Sequence, residues 1–239
     1  HSNKGDYDQA LDYYGRALAI LENLGDKIGV GNKLWNIAVV HVSKGDYDKA
    51  IMYHLKALNI HEEMNDKDNI RWTYEELGWI NYLLGNYDKS NEYYDKQLVL
   101  AKELKDNKNI SNIFNNKGLI SFNNQDFTKA LENLEISVTM QMEIDSTIKL
   151  ETLSYLLLSK KILGREYNIK EIHTLIKEQE KIDDYINFAL FKLLEDPSYI
   201  ETAYNQVQEK ADYLEPDVKA KFIDLPIPKA IVEEWEKFK

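Results

Sequence analysis

The hexapeptide Gly45-Asp46-Tyr47-Asp48-Lys49-Ala50 recurs forty residues away on both sides, as Gly5-Asp6-Tyr7-Asp8-Gln9-Ala10 and as Gly85-Asn86-Tyr87-Asp88-Lys89-Ser90. A fourth version, Gln125-Asp126-Phe127-Thr128-Lys129-Ala130, keeps the aromatic and the alanine in register, and Tyr167 still falls on the same grid. A fixed period of this length confines a chain to a stack of like supersecondary units, each burying its apolar face on its neighbours. The first residues obey the same register: His1-Ser2-Asn3-Lys4-Gly5 aligns with His41-Val42-Ser43-Lys44-Gly45, so the sequence is expected to begin inside a repeat, as the last turn of a helix.

After each turn the apolar residues follow a spacing of three and four (Tyr7, Ala10, Leu11, Tyr14, Ala17, Leu18, Leu21; then Tyr47, Ala50, Ile51, His54, Ala57, Leu58), which gathers them on one face of a helix. Glycine suits the sharp reversal before each helix, and Asp46 and Asp126 stand where a carboxylate can cap exposed amides. Polar joints at 65–69 and 105–109 introduce a second helix in each unit, predicted over 30–44, 69–84, 109–124 and 147–163. Inside these second helices lie Ala38, Gly78 and Gly118. A glycine there costs roughly 1 kcal/mol relative to alanine, so close approach of a neighbouring helix is expected at each.

A small residue, then Gly-x-Tyr/Phe-x-x-Ala seven residues on, then Ala17 or Ala57 seven further, resembles the tetratricopeptide repeat over residues 5–164. The forty-residue period is similar to that of the long-helix subgroup, which includes the Pins adaptors, kinesin light chains and prokaryotic signalling proteins. The chain departs from the family at His41, Asn81 and Ser121, where an aromatic is usual, and it lacks the proline that often ends a unit. The resemblance implies an all-α, right-handed superhelical solenoid of antiparallel helix pairs.

Beyond residue 164 the composition changes: all ten glycines lie at or before Gly164, and all four prolines at or after Pro197. We therefore expect a regular array over 1–164, degenerate helix pairs over 165–214 (helices at 167–181, 184–195 and 198–214), and a C-terminal cap over 215–239. The cap is read as two short helices about Leu225-Pro226-Ile227-Pro228, folding over the open end of the array with Trp235 and Phe238 buried.

A net charge of -11, with the acids spread along the chain, argues against a nucleic-acid surface and favours partners with basic or neutral flanks. No cysteine is present, which removes thiolate chemistry and fits a cytoplasmic location, and no apolar run approaches the roughly 18 residues of a membrane span. No cofactor, metal or catalytic constellation is legible. His54 and His61, seven apart on one helix, are too distant to share a metal and are read as surface or half-buried groups. His61-Glu62-Glu63-Met64-Asn65 lacks the second histidine of a zinc-protease helix, and the glycines follow the repeat instead of forming a phosphate loop.

What remains is a surface. In the family the resemblance points to, one stripe of the second helices lines a concave groove that holds extended or helical peptides. Here that stripe comprises Asn32, Trp35, Asn36 and Val39; Trp72, Glu75, Trp79 and Tyr82; Asn112, Asn115, Asn116, Leu119 and Phe122; and Tyr155. Three of the four tryptophans fall on it, and such exposed apolar patches mark binding sites. By the same resemblance the asparagines hold a peptide backbone, a role suited to a group that both donates and accepts. The asparagine that a carboxylate clamp needs is replaced by Val39, Trp79 and Leu119. The sequence thus reads as a scaffold that binds a protein or peptide segment without chemistry of its own, or alternatively as the regulatory arm of a larger signalling enzyme, holding other domains of the same chain.

Overall fold

The computed structural model describes residues 4–238, and among them are thirteen helices and no strand. In chain order these are α1 (Lys4–Leu24), α2 (Lys27–Ser43), α3 (Tyr47–Glu63), α4 (Lys67–Leu83), α5 (Tyr87–Glu103), α6 (Asn107–Asn123), α7 (Phe127–Asp145), α8 (Leu150–Ile162), α9 (Lys170–Lys177), α10 (Asp184–Leu194), α11 (Pro197–Asp212), α12 (Pro216–Ile223) and α13 (Pro226–Phe238). They fall into two compact units, one of residues 1–100 with 213–222, the other of 101–212 with 223–239. The helical turn expected at His1, Ser2 and Asn3 lies outside the described residues.

Local backbone chemistry sets the helix boundaries. Gly25, Gly45, Asn65, Gly85, Lys105 and Gln125 all adopt positive φ, between 53° and 76°, at intervals of twenty residues. An aspartate follows each of them except Gly85, which is followed by Asn86. At 45–46 the amide of Gly45 donates to Val42 O at 2.9 Å and that of Asp46 to His41 O at 2.9 Å, closing α2 as a Schellman motif. The Asp46 carboxylate then accepts the Lys49 amide at 3.3 Å and opens α3. Asp26, Asp66, Asp106 and Asp126 cap the next helix in the same way, on the amides of Gly29, Asn69, Asn109 and Lys129. The sequence repeats every forty residues, but the backbone repeats every twenty, and α2 to α6 are each seventeen residues long. The first three second helices, α2, α4 and α6, start two or three residues earlier than their apolar pattern indicates, while α8 starts three residues later than the expected 147. Gly5 and Asp6, in contrast to their counterparts, lie inside α1, with no described helix before them to close.

In the first unit α2 packs on α1 and α3, and α4 on α3. Ala38, Ala50 and Ala57 are fully buried, and a Cβ at Gly78 would meet the Tyr94 ring at 2.9 Å, which is the close approach the glycine implies. Ser90 Oγ donates to the Gly78 carbonyl across the same contact at 2.7 Å. The same repeat position is buried at His54 and Tyr94 and, in the second unit, at Leu134, each at 1% exposure or less. The histidines read as surface or half-buried groups are therefore core residues: both His54 and His61 are fully buried, and His61 closes over Gly31, where a Cβ would meet its ring at 2.6 Å.

The second unit starts in the same manner, with α6 packed on α7 and Gly118 pressed against Leu134. The spacing then slips. α7 runs for nineteen residues to Asp145, followed by the left-handed Ser146 at φ 53°, and α8 begins only at Leu150. Packed by α7, α6 and α10, α8 is buried along every residue from 152 to 159. The helix expected over 167–181 shortens to α9, with Ile172 as its one buried residue. α13 packs on α10 and α11 through the fully buried Ile231, and Trp235 stacks on Tyr204 at 5.4 Å. Phe238 was expected inside, but it remains 49% exposed in the last helical turn, edge-on to Phe191. Residues 213–222, which include most of α12, group with the first unit, where Val218 and Leu214 lie against Gly45.

Two stability effects follow. Lys105 and Gln125 are exposed side chains held in the left-handed region. Replacing either with glycine should raise stability by about 0.5–1 kcal/mol, the relief of strain outweighing the added freedom of the unfolded chain. Urea titration followed by circular dichroism reads this as a higher midpoint. Conversely, Ile231→Ala should lower stability by roughly 2–4 kcal/mol through the cavity left under α13, seen in the same titration.

Candidate functional site

The two faces on which the stripe residues fall differ in accessibility. In the first unit α2 and α4 touch directly. Asn32, Trp35, Asn36 and Val39 on α2, with Glu75, Glu76 and Trp79 on α4, are half-buried, and Trp72 is 48% exposed. Trp72 is stacked by the Arg71 guanidinium at 4.6 Å, and Arg71 is itself buried and lies 3.8 Å from Asp68. Trp79 leans on Tyr82 at 5.1 Å, and Tyr82 in turn contacts Tyr87 at 6.2 Å. Tyr82 is only 2% exposed, so it supports the Trp79 ring from beneath and offers no surface of its own.

The charge of this face comes from Glu75 and Glu76. Gln97 donates to the Glu75 carboxylate at 3.2 Å and orients it. Burial pushes the Glu76 carboxyl above its ordinary range, and the neighbouring negative charge of Glu75 pushes it further. The face therefore combines aromatic rings with a carboxylate that is costly to keep ionised without a cation nearby.

Behind the face lies a layer of buried imidazoles. The Trp35 edge meets His54 at 5.9 Å, and His41 stacks on Tyr53 at 5.4 Å. Both ring nitrogens of His54 and of His61 lack a hydrogen-bond partner. Burial brings the His54 pKa down to about 4; it also lowers His41 and His61, against the opposing pull of Asp46 and Asp66 respectively. Among the described residues no three histidine, aspartate or glutamate side chains converge to hold a metal ion.

In the second unit the stripe is occupied from within. The Asn112 carbonyl oxygen accepts from Lys149 Nζ at 2.7 Å, and the Asn115 amide donates to Glu151 Oε2 at 2.6 Å. The other Glu151 oxygen accepts from the Tyr185 hydroxyl at 2.6 Å. Asn115, Leu119 and Tyr155 are buried, with α10 packed on α8 and the Tyr155 hydroxyl donating to the Tyr185 carbonyl at 3.2 Å. Phe122, half-buried, meets Tyr155 and Phe127 edge-on at 5.0 and 5.2 Å, and Asn116 is also half-buried. The structure thus brings Asn32, Trp35, Asn36, Val39, Trp72, Glu75 and Trp79 onto accessible surface in one unit, and commits Asn112 and Asn115 to hydrogen bonds in the other. Glu76 and the Arg71–Trp72 stack were not anticipated from the sequence, although their place beside Glu75 and Trp72 in the stripe was visible.

Comparison with known proteins bears on the fold. A family model described as tetratricopeptide repeat matches residues 29–103, and a second of the same description matches residues 1–28. No curated protein matches the sequence. Among solved structures, the apo form of RapI is similar over 98% of this chain and 72% of its own, at 14% identity and a TM-score of 0.72. BtubC (BKLC) from P. vanneervenii is similar over 90% of each chain, at 15% identity and a TM-score of 0.58. At such identities the likeness is one of fold.

The buried imidazoles set an expectation for pH. Folded His54 resists protonation down to about pH 4, whereas the unfolded chain takes up a proton near the ordinary histidine value of 6.5. The stability His54 confers is therefore complete above pH 6.5 and is lost progressively between pH 6.5 and 4, by about 3 kcal/mol in all. His54→Leu should flatten that part of the stability curve, measured by urea unfolding at a series of pH values. Glu76 acts in the opposite sense, recovering stability as its carboxyl protonates, and the comparison at a single substitution separates the two.

Proposed function

On the premise that the chain is a tetratricopeptide-repeat protein, its repeats matched over residues 1–103, we propose that it is a cytoplasmic interaction scaffold whose α2–α4 face binds a peptide or helical segment of a protein partner. The observation that carries this reading is the half-exposed Trp72, set with Trp35, Val39 and Trp79 on adjoining helices around Glu75 and Glu76. Rigid rings bury large apolar area at low entropic cost, and they anchor interfaces for that reason. Half-buried Asn32 and Asn36 add a donor and an acceptor each, suited to a peptide backbone. The carboxylates select the partner: a lysine or arginine beside the apolar anchor meets the Glu76 anion, while an acidic flank is repelled. Binding, not catalysis, is the activity proposed.

Selection from a displayed library of random peptides tests it. The protein should enrich sequences carrying an apolar or aromatic anchor flanked by basic or neutral residues. Trp72→Ala with Trp79→Ala should cost those peptides at least tenfold in affinity and leave helical content unchanged. Tyr82→Ala is the contrasting variant, expected to destabilise the fold by roughly 3–5 kcal/mol because its ring is buried. Enriched peptides that bind the double tryptophan variant undiminished would move the binding surface elsewhere.

A further inference from the structure

Tyr167 occupies the register position at which Tyr47, Tyr87 and Phe127 open a helix. In the second unit that register slips. Gly164, at φ 65°, closes α8 one residue ahead of the forty-residue grid, its amide donating to Lys161 O at 3.1 Å and that of Arg165 to Lys160 O at 2.9 Å. α9 then begins only at Lys170, which leaves Tyr167 in the connection, 40% exposed and free of the packing role its counterparts carry. With Ile169 and His173 it faces the α10–α11 turn, and Leu193, Leu194, Asp196 and Tyr199 complete the lining of a cavity of about 570 Å³. That volume is in the range of small-ligand clefts.

The lining defines what can enter. Ile169, Leu193 and Leu194 form apolar wall, and Tyr167 and Tyr199 contribute two phenol rings. Asp196 supplies a fixed negative charge: its carboxylate accepts the Ser198 amide at 2.9 Å, and this bond holds its pKa below the usual carboxylate value. Tyr199 lies one turn on from Asp196, its amide donating to the Asp196 carbonyl at 3.2 Å, and burial, then the Asp196 charge, raise the pKa of its phenol. Leu193 and Leu194 are the last turn of α10, whose carbonyl end adds negative potential. Lys161, at the same helix end, donates to the Lys192 and Leu193 carbonyls and is neutralised by Glu195 at 2.7 Å. An anion finds no welcome here, since Asp196 already holds an amide at the α11 N-terminus.

We propose that this cavity is a second binding site, independent of the α2–α4 face, for a cationic side chain on an aliphatic stem: the ammonium of lysine or the guanidinium of arginine. The stem lies along Ile169, Leu193 and Leu194, the cation meets the tyrosine faces, and Asp196 pairs with it.

NMR titration of the whole chain with Nα-acetyl-lysine methylamide tests the site, with the arginine, norleucine and glutamate analogues as comparisons and n-butylamine as the free-amine probe. The lysine and arginine amides should saturate and shift the Tyr167 and Tyr199 ring signals. The uncharged norleucine analogue should bind at least fivefold more weakly, and the glutamate analogue should not bind. Tighter binding by the amides than by n-butylamine marks a peptide-borne cation, and the reverse a free amine. Asp196→Asn keeps the helix cap, because asparagine caps as well as aspartate, and removes the charge; it should weaken lysine binding about tenfold or more. Tyr199→Leu should weaken it as well, and Trp72→Ala should leave it unchanged. Norleucine binding as tight as lysine, an undiminished Asp196→Asn variant, or failure of any cation to saturate would overturn the proposal.

Discussion

Asp46 serves two helices at once. Its amide closes the Schellman turn of α2 on His41 O, and its carboxylate caps α3 on the Lys49 amide. Because one residue does both, the joint between helices has no slack: a left-handed residue and an aspartate are all that separates the capping residue of one helix from the first turn of the next. With seventeen residues between such joints, every helix presents its faces at the same phase as the one forty residues away. An added residue would rotate the following helix by about 100°, moving its apolar stripe off the neighbour. The burial of Ala38, Gly78 and Gly118, or of His54, Tyr94 and Leu134, at matching positions depends on that phase.

The helices themselves were legible because their apolar spacing repeats, and the small positions were legible because a helical glycine has to be explained by packing. The half-period was not. Its left-handed position is filled in turn by glycine, asparagine, lysine and glutamine, residue types whose only common property there is a backbone angle. The aspartates at 26, 66 and 106 were the available signal, twenty residues from those recognised as caps. His54 was misplaced for the opposite reason: its polarity outweighed a register it shares with Tyr94 and Leu134. A neutral imidazole fills such a position at the cost of two unpaired ring nitrogens, and burial then keeps it neutral.

Translating the stripe by forty residues carried the surface from α2 to α4 and failed at α6. The asparagines at 112 and 115 are where the register puts them, but the Asn112 carbonyl oxygen is taken by Lys149 and the Asn115 amide by Glu151, at the start of α8. Glu151 is held in turn by Tyr185 of α10, a helix outside the repeat pattern. A repeat sequence predicts which residues occupy equivalent places; it does not predict which will be covered by helices that break the pattern. Accessibility, the property on which binding depends, is therefore the part of the site least visible in the sequence.

The loss of phase that closes one surface opens another. Once Gly164 ends α8 a residue early, Tyr167 loses its partner helix and becomes lining for the cavity at the α10–α11 turn. The two acidic groups proposed to meet cations then differ in kind. Glu76 is an anion made costly by burial and by Glu75, so a bound cation relieves a cost already present in the free protein. Asp196 is an anion stabilised by the Ser198 amide, which stays charged whether or not a ligand arrives. As pH falls, Glu76 is neutralised before Asp196, and the share of the preference for basic flanks that Glu76 confers fades first. Selectivity at the first site is thus conditional on pH and on occupancy, whereas at the second it is built into the helix cap.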